Sequence, residues 1–154
     1  MSRPLTEFIY AQNLPWKNGI PGNSKINLKH KTLSIDQDFG DCSLIIQSPK
    51  GWKKETYCLD AEEEIFVLDG QIEINNKTYS KGYYACFPEG FVRKNIYSSQ
   101  GCIFLSFFSK TPIEIIPNKI KPDNENLIDC LNVVEMPWEN IGVDPKLDFL
   151  GIKR

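Results

Sequence analysis

Apolar and polar residues alternate with a period of two along much of the chain, in short runs that stop at Gly, Pro, Asn or Ser clusters. Such runs read as strands, because successive side chains on a strand point to opposite faces. The pattern predicts a strand over Lys25 to Ile35, with Ile26, Leu28 and His30 on one face, and another over Cys42 to Gln47. Ser48-Pro49-Lys50-Gly51 ends the second, since proline cannot donate to a ladder. Glu63 to Asp69 is a third strand, and Gln71 to Asn75 resumes it after Gly70. Asn75-Asn76 suits a tight hairpin, because asparagine tolerates positive φ. Thr78-Tyr79, Gly82 to Phe87, Val92 to Tyr97 and the strongly apolar Cys102 to Phe108 complete the set. Many short strands, with turn signals every ~8–12 residues, predict a sandwich or barrel rather than βαβ units.

The flanks read differently. Residues 1–24 form an irregular arm broken by Pro4, Pro15, Gly19, Pro21 and Gly22, with Leu14-Pro15-Trp16 placed to lay an indole over the barrel. Ser109 to Asn126 is rich in Pro, Lys and Asn and reads as an extended wrap, while Leu127 to Val134 suits either a short helix or a strand. Met136-Pro137-Trp138-Glu139-Asn140 echoes Leu14-Pro15-Trp16-Lys17-Asn18, and Leu150-Gly151-Ile152-Lys153 follows it much as Leu28-Lys29-His30-Lys31 follows the first copy. That spacing is the mark of an internal repeat. The expected division is an arm over 1–24, a barrel over 25–108, and an extension over 109–154 that begins a degenerate second unit.

Composition narrows the function classes. A chain of 154 residues with 41% hydrophobic content suffices for one domain with its own core. The net charge of −2 and the lack of a basic block give no footing for nucleic acid or an anionic membrane. No apolar run approaches the ~20 residues of a membrane span, and the first ten residues lack the order of a signal peptide. Five cysteines without CxxC spacing fit a reduced, cytoplasmic protein.

Two stretches carry a more specific pattern. Gly51, Glu63 and Gly70 stand at one set of offsets, and Gly82, Pro88 and Gly90 at another. This framework resembles the two motifs of the cupin superfamily, from about Lys25 to Phe108, and most closely the ChrR-type cupins of unknown function. The Leu-Pro-Trp arm and the Gly51-Trp52 step belong to that likeness. It implies an all-β double-stranded β-helix, or jelly-roll, barrel with an N-terminal arm and an extended C-terminal tail.

The resemblance also implies a departure. Metal-binding cupins use three histidines and a glutamate as ligands. Here the histidine places hold Tyr57, Leu59 and Arg93, and only Glu63 keeps a ligand type. Leucine cannot coordinate, and the fixed charge of arginine repels a divalent cation. The one histidine, His30, lies outside both motifs and reads as a packed or surface residue. The expectation is therefore no metal and no cofactor.

If the motif places keep their inward direction, Glu63 and Arg93 meet inside the barrel. They then either plug a dead metal site or form a ligand site in which Arg93 grips an anionic group. Tyr57, and Tyr97 at the place often held by asparagine, would add hydroxyls and ring faces. Cys86 projecting inward before Pro88 would add a thiol near Arg93. Glu62 and Glu64 are expected to face away from the cavity. The expected function is metal-free binding of a small anionic molecule, with Glu63 and Tyr57 as candidates for metal-independent acid–base chemistry of the isomerase or lyase kind. The alternatives are a metal-dependent cupin enzyme with atypical ligands and a non-catalytic ChrR-like sensor. A homodimer, through the outer sheets or the tail strand Lys146 to Lys153, is a hypothesis that the resemblance adds.

Overall fold

A computed structural model describes residues 8–138. Ten antiparallel strands build the fold: β1 (Lys17–Asn18), β2 (Lys29–Ile35), β3 (Cys42–Ser48), β4 (Trp52–Tyr57), β5 (Glu63–Ile74), β6 (Lys77–Ser80), β7 (Tyr83–Phe87), β8 (Arg93–Ser98), β9 (Cys102–Phe108) and β10 (Ile128–Asn132). Only short 3-10 turns interrupt them, and no α-helix occurs among the described residues.

One sheet runs β1-β2-β3-β9-β5-β7-β10, and a second joins β4, β8, the far half of β5, and β6. Strand β5 belongs to both. Its first half pairs with β9 and β7, and its second half with β6 and β8. Gly70 stands at the corner with φ 74°, where the backbone of Gly101 comes so close that a Cβ would collide with its carbonyl oxygen. Gln71 to Ile74 thus continues the strand as expected, and Gly70 is a bend inside it. A register shift between Val67 and Asp69 changes the inward parity, so that Glu63, Ile65 and Val67 and then Ile72 and Ile74 all face the core.

The alternating patterns place Leu44, Ile46, Phe104, Phe108, Ala85 and Phe87 inside. The hairpin at Asn75-Asn76 forms as expected, with φ 53° and 62°. The first predicted strand begins four residues late, at Lys29, because Asn23 Oδ1 accepts the amides of Lys25 and Ile26 in a turn.

The undecided stretch resolves as strand β10 followed by a 3-10 turn over Val133–Glu135. Asp129 pins β10 to the barrel by accepting from the Tyr79 hydroxyl and, at 2.6 Å, from Lys77 Nζ. Between β9 and β10 the chain crosses the barrel end as an extended wrap, touching it through the Leu59–Glu114 bridge and the 3.0 Å bond from the Asp60 amide to the Ile113 carbonyl. Glu139-Asn140 of the echo and the tail strand 146–153 lie outside the described residues.

Candidate functional site

The residues at the motif places converge between the two sheets. Tyr57 and Arg93 are cross-strand partners on β4 and β8, so both side chains project from the same face. Glu63 opens β5 in register with Phe87 on one side and Phe108 on the other, and all three side chains project into the barrel from the same sheet face. Arg93 Nη1 donates to Glu63 Oε2 in an ion pair whose side chains are only 5% and 4% exposed. Ser106 Oγ donates to the other oxygen, Oε1. The guanidinium packs 5.0 Å from the Tyr57 ring centre and 4.7 Å from that of Phe87, a cation–π arrangement on both.

Two polar atoms in this cluster have no protein partner: the Tyr57 hydroxyl and Arg93 Nε, both buried. A buried donor without a partner carries a desolvation penalty, so each such group calls for an explanation. Both residues and Glu63 line a cavity of about 30 Å³, walled otherwise by isoleucines of β3, β5 and β8, by Phe104, and by Ile20, Leu28 and Trp52. That is room for about two water molecules. Burial pushes the Tyr57 phenol well above its ordinary range, Glu63 adds to the push, and Arg93 opposes it. The phenol therefore remains a donor at neutral pH.

The arm closes the cavity, and the wrap holds the arm in place. His30 Nδ1 donates to the Gly19 carbonyl at 2.6 Å, which sets Ile20 against the core. Asn23 Nδ2 reaches Glu114 at 3.1 Å, and Lys54 pairs with the same carboxylate at 2.8 Å. His30 is thus a packed residue of the barrel wall. Trp16 is 38% exposed and sits under Lys31 Nζ at 4.9 Å, beside the barrel rather than over the cavity.

Two residues expected in the cavity lie elsewhere. Tyr97 is 41% exposed and pairs with Lys53 and Glu73 on the outer face. The cause is Asn95, whose φ of 51° interrupts the alternation of β8 opposite Glu55. Arg93, Ile96 and Ser98 turn inward, and Tyr97, four residues after Arg93, turns out. Cys86 is buried, but it pairs with Glu64 and so points away from the Glu63–Phe87 face. Burial first, and then Glu62 and Glu64, push its thiol up to about 11, the opposite of activation. Glu64 faces outward as expected and accepts from Tyr84 Oη at 2.6 Å.

Ser106 is the site residue the motif reading passes over. The signal is present: Cys102, Phe104, Ser106 and Phe108 share one strand face, and a single hydroxyl among them marks a polar partner.

The donor set does not fit a divalent cation. Of the four motif places Glu63 alone holds a carboxylate or imidazole, both of its oxygens already accept hydrogen bonds, and burial keeps the Tyr57 phenol protonated. Among the described residues no group of three or more His, Cys, Asp or Glu stands together. A catalytic metal needs about three protein ligands.

Comparison with known proteins agrees with this fold. No curated protein matches the chain in sequence. Its structure is similar to that of a candidate dioxygenase from Nostoc punctiforme, with a TM-score of 0.76 and 17% identity. The likeness covers 92% of this chain but 56% of that protein. It is also similar to an acetylacetone dioxygenase from Acinetobacter johnsonii (TM-score 0.60, 14% identity, 86% of this chain and 89% of that one). The polyketide cyclase RemF from Streptomyces resistomycificus is a third such structure (TM-score 0.56, 14% identity, 75% and 89%). At these identities the likeness is one of fold. A family model described as the ChrR Cupin-like domain matches residues 6–112, and the chain belongs to that family of cupins.

Proposed function

We propose that this cupin works without a metal and binds a small molecule inside its barrel, with the ligand's head group against Arg93 and Tyr57. The observation that carries the reading is the pair of buried donors without partners, Tyr57 Oη and Arg93 Nε, on the wall of an apolar cavity. A plug evolved only to fill a dead metal site would satisfy its own donors. Here the ion pair is satisfied and the two remaining donors are turned to something else.

Binding is better supported than catalysis. Glu63, the candidate base, is committed to Arg93 and Ser106. Tyr57, the candidate acid, holds its proton more tightly than an ordinary phenol. The thiols of Cys58, Cys86, Cys102 and Cys130, which form no disulfide, support a reducing, cytoplasmic setting. Pairing of two chains belongs to the same proposal. Its surface is the outer face of the larger sheet, where Ile45, Leu105, Phe66, Tyr84 and Leu131 form one cross-strand row.

Elemental analysis of the purified, untagged protein by plasma mass spectrometry tests the metal-free part. The expected result is far less than one metal per chain and a melting temperature unchanged by chelation. Metal near one equivalent, with a fall in melting temperature on chelation, overturns it. Sedimentation as a monomer at high concentration overturns the pairing.

A further inference from the structure

The charge balance of the cluster narrows the ligand, taking the barrel as the binding site proposed above. An arginine seen alone suggests an anion. This arginine is already neutralised by Glu63, and neither side chain of the pair is more than 5% exposed. The phenol of Tyr57 is uncharged, and the rest of the wall is Ile, Leu, Trp and Phe. A carboxylate entering this space would be a desolvated charge with no counter-charge left to meet it. A head group that brings only donors, such as an ammonium, would leave Tyr57 Oη and Arg93 Nε without an acceptor. The two unsatisfied protein atoms are both donors, and what they lack is an uncharged acceptor.

We infer that the barrel takes a neutral carbonyl compound, whose oxygen accepts from Tyr57 Oη and Arg93 Nε, and turns away the carboxylate of the same size. A carbonyl oxygen has two lone pairs, enough for both donors. The cavity of about 30 Å³ holds the carbonyl and little more, so the substituents are small and apolar. A longer ligand must displace Ile20, the residue that the arm contributes to the wall.

Acetone and acetate have the same heavy-atom skeleton and differ in charge, which makes them the probes. The readout is the Nε–Hε correlation of Arg93 in nitrogen-15 spectra of the full-length chain. Acetone is expected to shift it saturably at millimolar concentrations, and acetate is not. Tyr57→Phe removes one donor together with its burial penalty, so it keeps the fold. It should weaken acetone about tenfold, the effect of one lost hydrogen bond. A shift by acetate and not by acetone overturns the neutral class and leaves the barrel as a binding site. No shift by either overturns both readings and assigns the two donors to trapped water. An acetone shift that Tyr57→Phe leaves unchanged puts the ketone elsewhere and overturns the assignment.

Discussion

Arg93 and Glu63 are almost wholly buried, so the two side chains depend on each other. Removing one leaves the other as an unpaired buried ion, whereas removing both leaves a neutral gap. Arg93→Met should therefore cost about 3–5 kcal/mol in denaturant unfolding, and Glu63→Gln combined with Arg93→Met should recover much of it. Two neutral single substitutions would show that the pair does not form. At this scale the sequence was partly legible. The glycine and proline framework placed Glu63, Tyr57 and Arg93 on one inward face, because those offsets track strand parity. The same counting misplaced Tyr97 and Cys86, since parity survives only while the strand is regular. Asn95 breaks it on β8, and on β7 Phe87 takes the inward place that Cys86 would have needed.

Strand β5 shows what one residue does to a whole element. Gly70 lets it leave one sheet and enter the other without ending, because only glycine combines a φ of 74° with the close carbonyl of Gly101. Gly70→Ala would add the strain of the left-handed region to a backbone collision. A loss of at least about 2 kcal/mol is expected, read as a lower denaturant midpoint. An unchanged midpoint would mean that the corner can open without cost. That the strand goes on after Gly70 was legible from sequence, but its passage between sheets was not, because a glycine within a strand does not show which way it bends. Cys102 to Phe108 was legible to the residue as β9, because its apolar face is unbroken except by Ser106 and its ends are marked by turn residues. Trp52–Tyr57 was harder to see, since only its end residues, Trp52 and Tyr57, are buried and the alternation between them fails.

Across the whole molecule, folding raises several acidic groups together. Burial pushes up the Cys102 thiol to about 12 and Cys86 to about 11, and it drives the phenols of Tyr57, Tyr79 and Tyr84 higher still. The unfolded chain releases these protons first, so above the ordinary thiol range it binds fewer protons than the folded one, and stability falls as pH rises. The melting temperature should be flat up to about pH 9 and drop beyond it. A melting temperature that rises between pH 9 and 11 would contradict the burial of these groups. The arm and the wrap were recognisable as irregular from their prolines. What they do there was not, because the contacts of Asn23 and Lys54 with Glu114 join positions far apart in sequence.

The double membership of β5 has a consequence for motion. Its amides and carbonyls are shared among β6, β7, β8 and β9, so neither sheet can come apart while the other stays whole. Hydrogen exchange along Glu63–Ile74 then has no local route, and its slowest amides should report the opening of the entire barrel. Residues whose backbone pairs on one side alone, such as Ile128–Asn132 with β7, can fray and exchange while the barrel around Glu63 and Arg93 stays closed.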